Sequence, residues 1–149
     1  MNLEYEFTYN ATLKDPVQIG PGPYGTRLVF EVTGGSLDGK RLKGKVLTGG
    51  ADWVLVGPDG WGRLDVRIQF LTDDGAAIYT VYSGLLDMNE KVQRALTAGS
   101  GTDYGDQYFR TSPRFETGDP RYGWLNHTLF VAEGRMVPHA VEYKVYRVT

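Results

Sequence analysis

Apolar and polar residues alternate with a period of two from the start of the chain. Leu3, Tyr5, Phe7, Tyr9 and Ala11 interleave with Asn2, Glu4, Glu6, Thr8 and Asn10, the pattern of a strand with one buried face. Comparable runs occur at Thr26 to Val32, Arg41 to Leu47, Ala51 to Val56, Gly62 to Phe70, Ala77 to Leu85, Tyr108 to Thr111, Trp124 to Val131 and Val141 to Val148. Together they predict about nine strands, mostly antiparallel. Glycine and aspartate turns separate them: TGGSLDG, LTGG, GPDG and TDDG supply positive φ and Asx turns. One helix is expected inside Asp87 to Ala98, with Asp87 as cap, Glu90 as its capping-box partner, and Met88, Val92, Ala95 and Leu96 at helical spacing. Many short strands and one helix predict an all-β fold, and closure into a single antiparallel barrel on a lipocalin-like plan removes the exposed edges. Such barrels either fill with side chains or enclose a small ligand.

The stretch GGADWVLVGPDGWGRLDVRI, residues 49–68, carries one aspartate on each arm of a hairpin, Asp52 and Asp65. Two registers compete. Pro58-Asp59-Gly60 suits a three-residue loop with a glycine bulge, which sets Asp52 opposite Val66 and separates the acids. The hydrophobic pattern instead favours pairing Trp53 with Leu64 and Asp52 with Asp65, because that register segregates apolar from polar residues. Extended through a two-residue Asp74-Gly75 loop, it pairs Arg67 with Tyr82 and gathers Asp52, Asp65, Arg67, Thr80 and Tyr82 on one face, with Gly84 leaving space beside Asp65. Facing carboxylates inside a barrel are acid/base equipment; on the outside they are a solvated polar face.

The 149 residues fit one domain, 1–149, with no change of composition that marks a linker. Net charge is −2 with no run of like charge, so nucleic acid is not an expected partner. The absence of cysteine excludes disulfides and thiolate sites, and the two histidines, His127 and His139, are too few for a histidine-rich metal site, so no metal is expected. The N-terminus MNLEYEFTYN lacks the basic and apolar regions of a signal peptide, and no run approaches the roughly 20 apolar residues of a spanning helix. A cytoplasmic protein without membrane partners is expected. Residues 100–124, SGTDYGDQYFRTSPRFETGDPRYGW, form a long aromatic connection expected to cover the barrel mouth.

GGADW followed by DVR, then TDDGAAIY with a following SG, then YFRTSPRFETG and YGWLN before a strand ending FV, resembles an uncharacterised β-barrel family. This is the domain of unknown function 3237, also called UPF0311, and the resemblance runs over nearly the whole chain. It implies a single antiparallel barrel without a settled activity. The family pattern falls on Gly50, Asp52, Trp53, Asp65, Gly84, Tyr108, Arg110, Pro113, Phe115, Glu116, Tyr122, Trp124, Leu125 and Asn126. Polar residues fixed in this way imply a pocket.

These observations lead to a small-molecule pocket working by proton transfer without a bound cofactor: an isomerase, cyclase or lyase acting on an aromatic or polyketide-like compound. Asp52, Asp65 and Tyr82 are the candidate acid and base groups. Trp53, Arg67, Arg110, Phe115, Trp124 and Asn126 are the candidate ligand contacts, with Arg67 or Arg110 steadying an enolate or phenolate oxygen. Each has a structural alternative: Trp53 and Trp124 as core or barrel plugs, Arg110 as partner of Glu116, Asn126 as a backbone tie. Two other functions fit the same residues. One is a binding barrel without catalysis; the other is a subunit of a homo-oligomer that packs its aromatic 100–124 segment on a neighbour.

Overall fold

A computed structural model describes residues 1–149. Eleven strands, β1 (Leu3–Leu13), β2 (Val17–Gly22), β3 (Gly25–Gly39), β4 (Lys43–Val46), β5 (Ala51–Val56), β6 (Trp61–Thr72), β7 (Ala77–Asp87), β8 (Phe109–Thr111), β9 (Arg114–Glu116), β10 (Phe130–Val137) and β11 (Ala140–Val148), surround one helix, α1 (Glu90–Ala98), and a 3-10 turn (Pro120–His127). Eight strands close a barrel in the order β1, β3, β5, β6, β7, β8, β10, β11 and back to β1, all antiparallel. β2 extends β3, β4 bridges β3 and β6, and β9 lies beside β7. No helix is long and apolar enough to cross a membrane.

Inward-facing residues of every wall form one core. Phe7, Tyr9, Ile68, Phe70, Phe109, Phe115, Tyr143 and Val145 are buried in it, with Phe115 edge-on to Phe130 at 4.9 Å and Tyr9 stacked on Tyr143 at 5.1 Å. The alternation of the first strand holds from Phe7 onward. A bulge between Tyr5 and Phe7 turns Glu6 inward, to 6% exposure, and leaves Leu3 and Tyr5 outside. The buried Glu6 carboxylate is met by Arg41 through two hydrogen bonds and by Arg147 at 3.5 Å, which offsets its desolvation.

Several boundaries differ from the sequence expectation, each for a local reason. β3 continues through TGGSLDG, expected as a turn, because Gly35 lets it bend against β1: with φ at 142°, a Cβ there would lie 1.9 Å from the Asn10 carbonyl oxygen. Asn89, not Asp87, caps α1, its side chain accepting from the Val92 N–H. Val92 and Ala95 of the expected apolar face are buried, whereas Leu96 stays 42% exposed. Trp124 to His127, expected as the start of a strand, lie in the 3-10 turn opened by Asp119 and Pro120; the strand begins at Phe130. Residues 100–124 contribute β8, β9 and much of that turn. α1 sits at the barrel end where β10 and β11 join, and the 3-10 turn sits at the opposite end, with Trp124 packed on Phe130 beneath the Arg41 guanidinium, 3.7 Å above its ring.

Candidate functional site inside the barrel

Both hairpins that frame β6 use three-residue loops. The Gly57 N–H donates to the Trp61 carbonyl around Pro58-Asp59-Gly60, and the Thr72 N–H donates to the Ala76 carbonyl around Asp73-Asp74-Gly75; the last glycine of each loop has positive φ. The first loop pairs Asp52 with Val66 and Leu55 with Arg63. The second pairs Val66 with Tyr82 and Arg67 with Val81. At the first hairpin turn chemistry overrides the pattern-based register, and at the second a three-residue loop replaces the expected two-residue Asp74-Gly75 loop; each slip is one residue. Asp52 points into the barrel while Asp65 and Arg67 are exposed on its outer face. Because the two slips cancel, Tyr82 still shares the inner face with Asp52.

Asp52 is the only ionisable acid on that stretch of inner wall, between Phe30 on β3 and Val66 on β6. Its Oδ1 accepts from the Asp65 N–H at 3.2 Å, so the carboxylate occupies a break in the β5–β6 ladder. Burial pushes its pKa up to about 7; the accepted hydrogen bond opposes the shift and the Asp65 charge adds to it. Tyr9, Tyr82 and Tyr143 are its polar neighbours across the interior, with Tyr82 edge-on to Tyr143 at 5.6 Å. Burial first, then the neighbouring tyrosines and Asp52, raises all three hydroxyls well above the usual phenol range, so they remain protonated donors. The Tyr9 and Tyr82 hydroxyls are close enough to shift one another, but Tyr9 completes no hydrogen bond of good geometry; neither do the buried Thr80 and Thr111 hydroxyls or Gln107 Oε1. Such orphaned groups are rare in native cores.

The remaining candidates lie elsewhere. Trp53 is 40% exposed on the outer face. Arg110 lies outside against the Tyr108 ring at 5.2 Å and reaches Glu133 at 4.0 Å, not Glu116. Phe115 is a core residue, and Trp124 covers the barrel end under Arg41. The Asn126 side chain holds both backbone groups of Thr117, at 2.9 and 3.0 Å, the backbone tie considered from sequence. Gly84 pairs with Leu64, not beside Asp65; a Cβ there would lie 2.7 Å from Thr111 Cγ2 and 2.8 Å from the Arg110 carbonyl, so it serves the close approach of β8. Tyr9 and Tyr143 were legible as members of alternating strands, but nothing in the sequence joined them to Asp52 across the barrel. Asp65→Asn is expected to change stability by no more than about 0.5 kcal/mol, since the outward carboxylate is solvated and its N–H still serves Asp52; thermal denaturation checks this.

Over residues 1–148 the chain matches the family described as protein of unknown function DUF3237. The chain belongs to that family. A UPF0311 protein of Clostridium acetobutylicum is 35% identical over 100% of this chain and 95% of its own length. The crystal structure of a conserved protein of unknown function from Rhodopseudomonas palustris, 34% identical, superposes with a TM-score of 0.90 over 100% of this chain and 99% of its own. The fold extends further, to a protein described as an enzyme from Penicillium herquei, 22% identical with a TM-score of 0.72 over 97% of this chain and 93% of that one. For this DUF3237 protein the two shared features of consequence are the closed barrel and full-length coverage by its relatives.

Proposed function

We propose that this DUF3237 barrel is a proton-transfer enzyme acting on an uncharged, oxygen-bearing aromatic molecule held inside the barrel. The observation that carries the reading is Asp52: a buried carboxyl with a pKa of about 7, in an otherwise apolar interior beside the hydroxyls of Tyr9, Tyr82 and Tyr143. A group poised near neutrality serves as base and acid in turn. As carboxylate, Asp52 takes a proton from carbon next to a carbonyl. The C–H bond breaks, a C=C bond forms, and negative charge moves onto the oxygen, where protonated hydroxyls of Tyr9, Tyr82 and Tyr143 stabilise it. Asp52 then returns the proton to a different atom. Isomerisation, ring closure and elimination share this step. The oxyanion role read from sequence for Arg67 or Arg110 passes to the tyrosines, because both arginines face outward. The barrel shared with the Penicillium herquei protein described as an enzyme is consistent with catalysis on this scaffold.

The test uses 2-tetralone, an aromatic ketone with exchangeable protons. Wild-type protein in D2O is expected to speed deuterium incorporation beside the carbonyl, followed by proton NMR, with a rate that rises as pH passes through about 7. Asp52→Asn should reduce exchange to the buffer rate while Asp65→Asn retains it. Binding of 2-tetralone without exchange would favour a carrier barrel instead, and equal exchange by wild type and Asp52→Asn would remove Asp52 from the chemistry.

A further inference from the structure

A groove of about 350 Å³ lies between the C-terminal turn of α1, the β10–β11 hairpin and the chain following β1, in the size range of small-molecule sites. Its walls carry apolar side chains, Leu13, Phe30, Leu96 and Met136 among them, together with Lys14 and Asp15. The groove and the Asp52 site share a wall. Phe30 lines the groove and is the cross-strand neighbour of Asp52, and it packs, half-buried, against the core. Asp52 keeps part of its surface open, while Val54 along its strand and Val66 across it are buried. Phe30 is its neighbour on the other flanking strand and is only half-buried. The hairpin turn that also lines the groove holds His139 at φ 56°, a conformation uncommon outside glycine. Its ring lies 3.5 Å from where a Cβ on Gly99 would stand, so the hairpin tip lies close to the end of α1 along that margin of the groove.

We infer that this groove is the outer half of the ligand site: it holds the apolar arm of an elongated aromatic molecule whose oxygen-bearing end passes Phe30 to reach Asp52. The inference rests on the reading of Asp52 as the inner site and adds the shape of the ligand, a molecule longer than one fused ring pair, apolar at the end away from the reacting carbonyl. Phe30 acts as the partition between the two halves.

Two ketones separate the halves: 2-tetralone, the probe of the proposed inner site, and 6-phenyl-2-tetralone, which adds an apolar arm. By fluorescence or calorimetric titration the phenyl compound is expected to bind about tenfold more tightly, as burial of a further ring predicts. Leu96→Lys places a charge in the groove on an exposed helix position, and it should cancel that gain while leaving 2-tetralone affinity unchanged. Leu3→Lys, at another exposed leucine outside the groove, should leave both affinities unchanged. The gain should also persist in Asp52→Asn, so a failure of the acid/base reading alone leaves the groove result standing. Equal affinity for the two ketones, or a gain untouched by Leu96→Lys, would overturn the inference.

Discussion

Replacing Asp52 with asparagine is expected to stabilise the protein by roughly 4 kcal/mol at pH 8 and to leave it nearly unchanged at pH 4. The sign follows from the direction of the shift. Burial raises the folded-state pKa of Asp52 to about 7, above the unfolded value near 4. Below the unfolded value both states hold the proton, and the wild-type protein carries no penalty. Between about 4 and 7 the folded state keeps a proton that the unfolded chain releases, so wild-type stability falls by about 1.4 kcal/mol for each pH unit. Above 7 the loss is complete. Asparagine keeps an oxygen to accept from the Asp65 N–H and removes the ionisation. Chemical denaturation of both proteins from pH 4 to 8 should give curves that meet at the acid end and diverge toward pH 8. A wild-type curve parallel to that of Asp52→Asn would mean that Asp52 ionises freely in the folded protein.

Gly35→Ala is expected to cost about 4 kcal/mol or to prevent folding, lowering Tm by roughly 10 °C or more. The added methyl would stand 1.9 Å from the Asn10 carbonyl oxygen and 2.9 Å from its carbon, both backbone atoms of the paired strand β1. No side chain can rotate away to relieve that contact, and φ at 142° is itself unfavourable for alanine. The only relief is to part β1 from β3, which opens the barrel. Gly118→Ala, where a Cβ meets nothing within 4 Å, is the control and should melt near wild type. Thermal melts of the two variants decide between a steric role for Gly35 and a merely flexible one.

The barrel was legible because alternation reports burial directly: Phe7, Tyr9 and Ala11, or Leu64, Val66, Ile68 and Phe70, mark inner faces without any knowledge of partners. The bulge at Tyr5 and Glu6 and the bend at Gly35 were not, since each depends on the approach of a second strand. The site was half legible. Asp52 and Tyr82 stood out in the sequence and do share the interior, but for a register that was wrong twice. The polar segregation that favoured pairing Asp52 with Asp65 treated the hairpin as having one dry and one wet face. In fact Asp52 is a polar residue on the inner face, a placement that the pattern of polar and apolar residues does not reveal. The bulged three-residue loop named by Pro58-Asp59-Gly60 was the better guide. Tyr122, a position of the family pattern, and Asn126, a candidate ligand contact, hold the 3-10 turn in place: the Tyr122 hydroxyl donates to the Asp74 carboxylate at 2.9 Å, and Asn126 ties down Thr117.

The claim on which the functional reading stands is that one aspartate inside the barrel titrates near neutrality, and carbon-13 NMR of the aspartate carboxyl groups measures it directly. In wild-type protein a single aspartate resonance is expected to titrate near pH 7, and that resonance should be missing from the Asp52→Asn spectrum. If every aspartate, the one lost in Asp52→Asn included, titrates near pH 4, Asp52 is an ordinary solvated acid and the proposed chemistry has no base.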